Sequence, residues 1–136
     1  MIDTNRIVKA HEMLRASADV VLAEGAGGFL VPLDAHRSFA ALPGLLGMEV
    51  LLVVGLRLGC LNHALLTVEA IAARGYRLAG WIGNCIDPAF ARQDANIATL
   101  TAMIAVPCLG IVPWLAHPGI DEAAAALAGA ARLRPI

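Results

Sequence analysis

Four short stretches of the chain carry residue types that can do chemistry, and each follows a run that reads as a buried strand. The first is Glu24-Gly25-Ala26-Gly27-Gly28. A carboxylate at a strand tip can hold a hard cation, because Mg²⁺ takes one or two carboxylates together with phosphate oxygens. Glycines let backbone approach a ligand closely and tolerate positive φ. The same five residues also read as a glycine-rich turn with a solvated glutamate. The second stretch is Leu56-Arg57-Leu58-Gly59-Cys60-Leu61-Asn62-His63. Asn62 is a candidate N-cap, and a helix start there offers free N–H groups to an anion; an ordinary capped loop fits the same residues. The third is Gly83-Asn84-Cys85-Ile86-Asp87-Pro88. The Asn84 amide donates and accepts at once, as a base edge such as adenine requires, and it can equally cap the turn before Pro88. The fourth, Ile111-Val112-Pro113-Trp114-Leu115, is an apolar lip able to flank a planar ring or simply to pack.

Other chemistries find little support. Cys60 and His63 have C-x-x-H spacing, but no second pair completes a zinc set. His11, His36 and His117 have no recurring partner and read as surface or turn residues. Ser17 and Ser38 are the only serines and there is no G-x-S-x-G elbow, which argues against a serine hydrolase.

The elements that must position these stretches follow from the apolar pattern. Thr4 to Arg15 has Ile7, Ala10 and Leu14 near helical spacing, with Asp3 or Thr4 as N-cap. Residues 18–23 (ADVVLA), 50–54 (VLLVV), 78–82 and 108–112 read as buried strands, stopped by the glycine loop, by Gly55, before Asn84 and by Pro113. Residues 62–74, 94–104 and 121–132 read as helices. Gly75 closes the first of these, and acids then arginines suit the dipole of the last. Residues 34–47 are irregular apart from a helical turn at 39–42. Alternating strands and helices predict an α/β fold: a three-layer parallel sheet with helices on both faces, in one domain spanning 1–136. Ligands in such folds sit at the carboxyl ends of the strands, where the four stretches lie.

Composition narrows the setting. Of 136 residues 59% are hydrophobic and 15% charged, against about 45–50% and 25% in ordinary soluble domains. Disorder is excluded. Nucleic acid is excluded as a partner, since the net charge is -1 and Lys9 is the only lysine. The apolar run Val50–Leu56 lies between Glu49 and Arg57, well short of the roughly 20 residues of a membrane span. The start Met1-Ile-Asp-Thr-Asn-Arg6 is not that of a signal peptide, so a cytoplasmic chain without membrane contact is expected. Cys60, Cys85 and Cys108 read as buried, reduced side chains. The apolar excess predicts an oligomer or part of a larger core, with an exposed apolar patch larger than a monomer usually shows.

Taken together, the segments AEGAGGFLVPL (23–33), LLVVGLRLGCLNHALLTVEAI (51–71), LAGWIGNCIDP (78–88) and LGIVPWLA (109–116) resemble the dethiobiotin synthetase family. The LRLGCLNHALLT stretch separates it from related amidoligases such as cobyrinate-type synthetases. The resemblance implies a P-loop NTPase-like α/β fold and a homodimer. The implied reaction is the ATP- and Mg²⁺-dependent closure of 7,8-diaminononanoate and CO₂ into a cyclic urea. It further implies that Glu24 binds Mg²⁺ and, with Gly25, Ala26 and Gly27, lines the nucleotide phosphates. Asn84, Cys85, Pro113, Trp114 and Leu115 would face the adenine. Gly28, Gly59, Cys60, Leu61 and Asn62 would contact the substrate, the last four by holding its carboxylate across the dimer.

The chain departs from that family in one large respect. A P-loop needs G-x-x-x-x-G-K-[ST], yet no glycine precedes Gly25 and the sole lysine follows Arg6-Ile-Val. The phosphate cradle, the carbamate lysine and the N-terminal Mg²⁺-binding aspartate of the family are missing, and Asp121 or Glu122 stands where the family has an acid near the nucleotide. The expectation is a C-terminal portion, inactive alone and completed by an N-terminal P-loop half in trans, or else a non-catalytic remnant that serves as a dimerisation or binding module.

Overall fold

A computed structural model describes residues 2–117 and 119–127. They fall into two compact units, one within residues 2–48 and the other beginning at Glu49.

In the first unit, helix α1 (Thr4–Arg15) starts where Asp3 accepts the N–H of Asn5 at 3.0 Å. Its bounds are those the periodicity predicts, but its buried face is not. Thr4 and His11 are buried and Ile7 is partly covered, whereas Ala10 and Leu14 are exposed. The inward stripe therefore runs through Thr4, Ile7 and His11, one step around the helix from the expected line. The strand expected at 18–23 is absent: these residues are irregular, with Val20 63% and Leu22 84% exposed. A β-branched run becomes a strand only when a neighbour satisfies its backbone, and among the described residues none pairs with it. Residues 34–47, expected to be mostly irregular, contain a 3₁₀ turn (Phe39–Ala41) that leads into the short helix α2 (Leu42–Leu46). An isolated antiparallel bridge joins Pro32 to Ser38.

The second unit is a three-stranded parallel sheet of β1 (Val50–Leu56), β2 (Leu78–Cys85) and β3 (Cys108–Val112), in that spatial order. Leu56 pairs with Cys85 and Asn84 with Val112. Helices α3 (Cys60–Ala72) and α4 (Gln93–Met103) form the crossovers, and α5 (Ile120–Ala125) follows β3. The residues 128–132 of the expected last helix lie outside the described residues. β1 and β2 continue past their expected ends, so Gly55, Asn84 and Cys85 are inside strands. The α3 helix ends as expected: Tyr76 donates to Ile71 O and Gly75 to Ala72 O, a pairing that needs the positive φ of Gly75 (+70°).

Alternation along the strands decides the layers. Val54, Leu56, Trp81 and Cys85 join Cys60 and Ala64 of α3 and Leu100 of α4 in one core cluster, so α3 and α4 cover one face. Full burial of Leu56 and Leu100 contributes about 1.5–3 kcal/mol each. Ile111 also packs on that core, so its neighbour Gly110 points to the other face. There the backbone of Ala126, just beyond α5, approaches so closely that a Cβ on Gly110 would overlap it. The sheet is thus flanked by helices as the α/β reading requires. No helix among the described residues is long and apolar enough to cross a membrane.

Candidate functional site

In the second unit, parallel strands deliver their carboxyl ends to one edge of the sheet. β1 leads into Arg57-Leu58-Gly59, β2 into Ile86-Asp87-Pro88 and β3 into Pro113-Trp114-Leu115. The structure brings Asn84, Cys85, Pro113 and Trp114 to one edge of the sheet, because Asn84 pairs with Val112 and β3 runs directly on into Pro113 and Trp114. The two strand-end residues divide the work. The Cys85 side chain is buried in the core, and burial pushes its thiol above the ordinary value of 9.0. The nearby Asp94 carboxylate adds to that rise, and the Trp114 N–H opposes it. Cys85 can therefore present only backbone to a ligand. Asn84, on the alternate face and half-buried, makes no side-chain hydrogen bond to any described residue, so its amide remains available. The turn before Pro88 is not capped by Asn84; Asp87 accepts the Ala89 N–H at 2.9 Å instead. Trp114 and Pro113 are exposed and Leu115 is half-buried. An open groove of about 390 Å³ continues from Pro88 to Ala95, with Arg92, Gln93 and Asp94 on its wall. Sequence reasoning missed this groove because it depends on the backbone path of residues 88–95 and not on residue type.

At the end of β1 the helix begins two residues earlier than expected. Gly59, with φ +90°, holds the N-cap position, which Asn62 does not occupy. Cys60 donates its N–H to Arg57 O at 3.0 Å, and its buried thiol contacts Asn96 Oδ1 at 3.7 Å. His63 donates to Gly59 O at 3.1 Å. The N–H groups of Leu61 and Asn62 have no acceptor among the described residues, so these two, and not Cys60, could receive an anion. No group of three or more His, Cys, Asp or Glu side chains among the described residues is placed to hold a metal, which leaves the Cys60–His63 zinc reading without support.

In the first unit, the loop Glu24, Gly25, Ala26, Gly27 and Gly28 is exposed. The N–H groups of residues 25–28 donate to no described acceptor, and Glu24 forms no ion pair there. Gly27 has φ +83°, a conformation that side chains other than glycine rarely adopt. A single unpaired carboxylate beside free amides fits what Mg²⁺ on a polyphosphate asks of a protein, namely one or two carboxylates with phosphate oxygens completing the shell. The loop is followed by a turn at Asp34–Arg37 that sequence reasoning did not single out. Asp34 accepts the N–H groups of His36 and Arg37, both at 2.9 Å, and pairs with the Arg37 guanidinium at 2.7 Å. The His36 N–H first, then the Arg37 side chain, hold the Asp34 carboxyl below its ordinary value of 3.8. The D-x-H-R spacing was the available signal, since an aspartate readily bonds N–H groups two and three residues ahead.

Comparison with known proteins places these residues in a wider group. The family described as "AAA domain" matches residues 1–119. The chain is 56% identical over 126 residues to a protein of Aromatoleum aromaticum named ATP-dependent dethiobiotin synthetase BioD, covering 93% of this chain and 56% of that one. Proteins of the same name from Ralstonia nicotianae and Pseudomonas paraeruginosa are 56% and 50% identical, with 87% and 93% of this chain and 52% and 54% of theirs covered. The chain thus spans about half the length of the curated relatives it matches.

Proposed function

The chain belongs to the AAA-domain family, and on that premise we propose that it forms the nucleotide-base, Mg²⁺ and substrate-carboxylate part of a dethiobiotin synthetase. The observation that carries the reading is the convergence of Asn84, Pro113 and Trp114 with the α3 start on one edge of a parallel sheet. In this reading the Asn84 amide reads the adenine edge between the Cys85 backbone and the lip Pro113-Trp114-Leu115. The Leu61 and Asn62 N–H groups, at the positive end of α3 beyond Gly59 and Cys60, hold the carboxylate of 7,8-diaminononanoate bound to the other copy of a homodimer. Glu24 holds Mg²⁺, the N–H groups of Gly25, Ala26 and Gly27 take phosphate oxygens, and Gly28 lies against the substrate. Bound Mg²⁺ neutralises charge on the ATP phosphates. One substrate amine adds to CO₂ and loses a proton to give a carbamate, whose oxygen takes the γ-phosphoryl group as ADP leaves. The second amine then attacks the carbamate carbon, phosphate departs, and the urea ring is closed. Both units belong to one cytoplasmic catalytic domain in this reading.

Phosphoryl transfer depends on positioning and charge stabilisation, and the 136 residues contain no G-x-x-x-x-G-K-[ST]. The 136-residue polypeptide is therefore expected to form no dethiobiotin from 7,8-diaminononanoate, bicarbonate, ATP and Mg²⁺, and to gain activity when mixed with a segment that carries a P-loop. Product formed by the polypeptide alone refutes the reading. A second reading is a binding or dimerisation module. Self-association without ATP affinity, read by titration calorimetry, supports that alternative, and activity on mixing excludes it.

A further inference from the structure

We infer that Arg37 is a positioning residue which, with Asp34 and Phe39, sets the geometry of the Glu24 glycine loop and ties it to the start of α1. The inference rests on the reading of that loop as the Mg²⁺ and phosphate contact.

Asp34 uses one oxygen for the His36 and Arg37 N–H groups, and the other accepts Arg37 Nε at 2.9 Å and Nη2 at 2.7 Å. The fork leaves Nη1, which donates to Thr4 Oγ1 at 2.8 Å. Thr4 is a buried residue of α1's first turn, so one guanidinium joins the turn to the helix. A planar, five-donor group can serve both partners at once, which a lysine ammonium cannot do in fork geometry. The Arg37 carbonyl accepts from Leu33 at 2.8 Å and Asp34 at 3.2 Å. Phe39 then donates its N–H to Val31 O at 2.9 Å, and the Pro32–Ser38 bridge lies between these bonds. The Phe39 ring is thereby set under the loop: a Cβ on Gly25 would lie 3.5 Å from Phe39 Cδ1. On the far side of the loop, Gly27 faces Val31 Cγ2 and Val31 donates to Gly28 O at 3.3 Å. The glycine loop is thus gripped at Gly25 by Phe39 and at 27–28 by Val31, and the Asp34–Arg37 turn fixes the distance between those two residues. Loss of the guanidinium frees the return from Val31 to Phe39, and with it the direction in which Glu24 and the loop amides point.

The test is NMR on the full 136-residue chain with R37A, R37K and T4V. R37A is expected to move the amide signals of residues 25–28 and to raise hydrogen exchange at Val31 and Phe39 about tenfold, with the signals of the strands from Val50 onward unchanged. R37K is expected not to rescue the loop signals, and T4V, which keeps the Asp34 fork, to give a smaller shift. Loop signals and exchange within about twofold of the unsubstituted chain in R37A overturn the proposal, as does full rescue by R37K. Should R37A fail to fold, T4V and R37K decide on the same signals. A separate arm adds Mn²⁺: broadening at 25–28 that E24Q abolishes supports the metal reading of Glu24. Its absence refutes that reading while the exchange data still judge Arg37.

Discussion

Two side chains at the strand ends show how the same position can carry opposite chemistry. Asn84 and Cys85 are adjacent, yet one offers its amide to the edge of the sheet and the other turns its thiol into the core beside Trp81 and Leu100. Because burial raises the Cys85 thiol, the folded chain keeps its proton more tightly than the unfolded chain does. The stability this group contributes is fully present below its ordinary value of 9.0 and is lost as pH rises from there toward the raised value. Thiolate is the nucleophile toward alkylating reagents, so iodoacetamide at pH 8 is expected to leave Cys85 unmodified in the folded chain and to label it after denaturation. Peptide mass analysis reads the difference, and rapid labelling of Cys85 in the native chain contradicts it.

At the scale of elements, β2 is the spine of the second unit, and Trp81 is its largest fully buried side chain. Its Nε1–H has no partner among the described residues. Trp81→Ala is expected to cost about 3–5 kcal/mol in urea unfolding. Trp81→Phe is expected to cost only about 1–2 kcal/mol, because removing the unpartnered N–H recovers part of a desolvation cost of about 1–3 kcal/mol; equal costs for the two variants refute that account. The three strands from Val50 onward were legible because continuous apolar runs between breaks mark strands, although β1 is buried less than expected, with Val53 57% exposed. Residues 18–23 carry the same pattern and fail as a strand, since a pattern records what a segment can bury but not whether a partner backbone is there to meet it. The start of α3 was misjudged by the same logic. Asn62 has a capping side chain, but the positive φ of Gly59 and the Arg57 carbonyl begin the helix earlier. Of the candidate site, the strand ends and the glycine loop were visible from residue type. The burial of Cys60 was legible as well, whereas the groove along 88–95 depends on a backbone path that residue type does not encode.

For the molecule as a whole, the apolar excess remains visible on the surface. Leu22, Leu58 and Leu66 are exposed, and so is Val53 on the sheet face opposite α3 and α4. Single exposed aliphatics are ordinary, but an uncovered strand residue together with exposed Val20 and Leu22 of the 18–23 run is not. The 136-residue chain is expected to bind a hydrophobic dye and to self-associate in sedimentation experiments; a monomer that leaves the dye dark contradicts this. The sheet itself depends on little of the chain. Among the described residues each strand pairs with its neighbour in sequence, across a single helix. The cost of closing a loop grows with the chain it encloses, so pairing between successive strands is the quickest way to assemble a parallel sheet. Once residues through Val112 have left the ribosome, the three strands found among the described residues are all available, so their pairing can begin during synthesis.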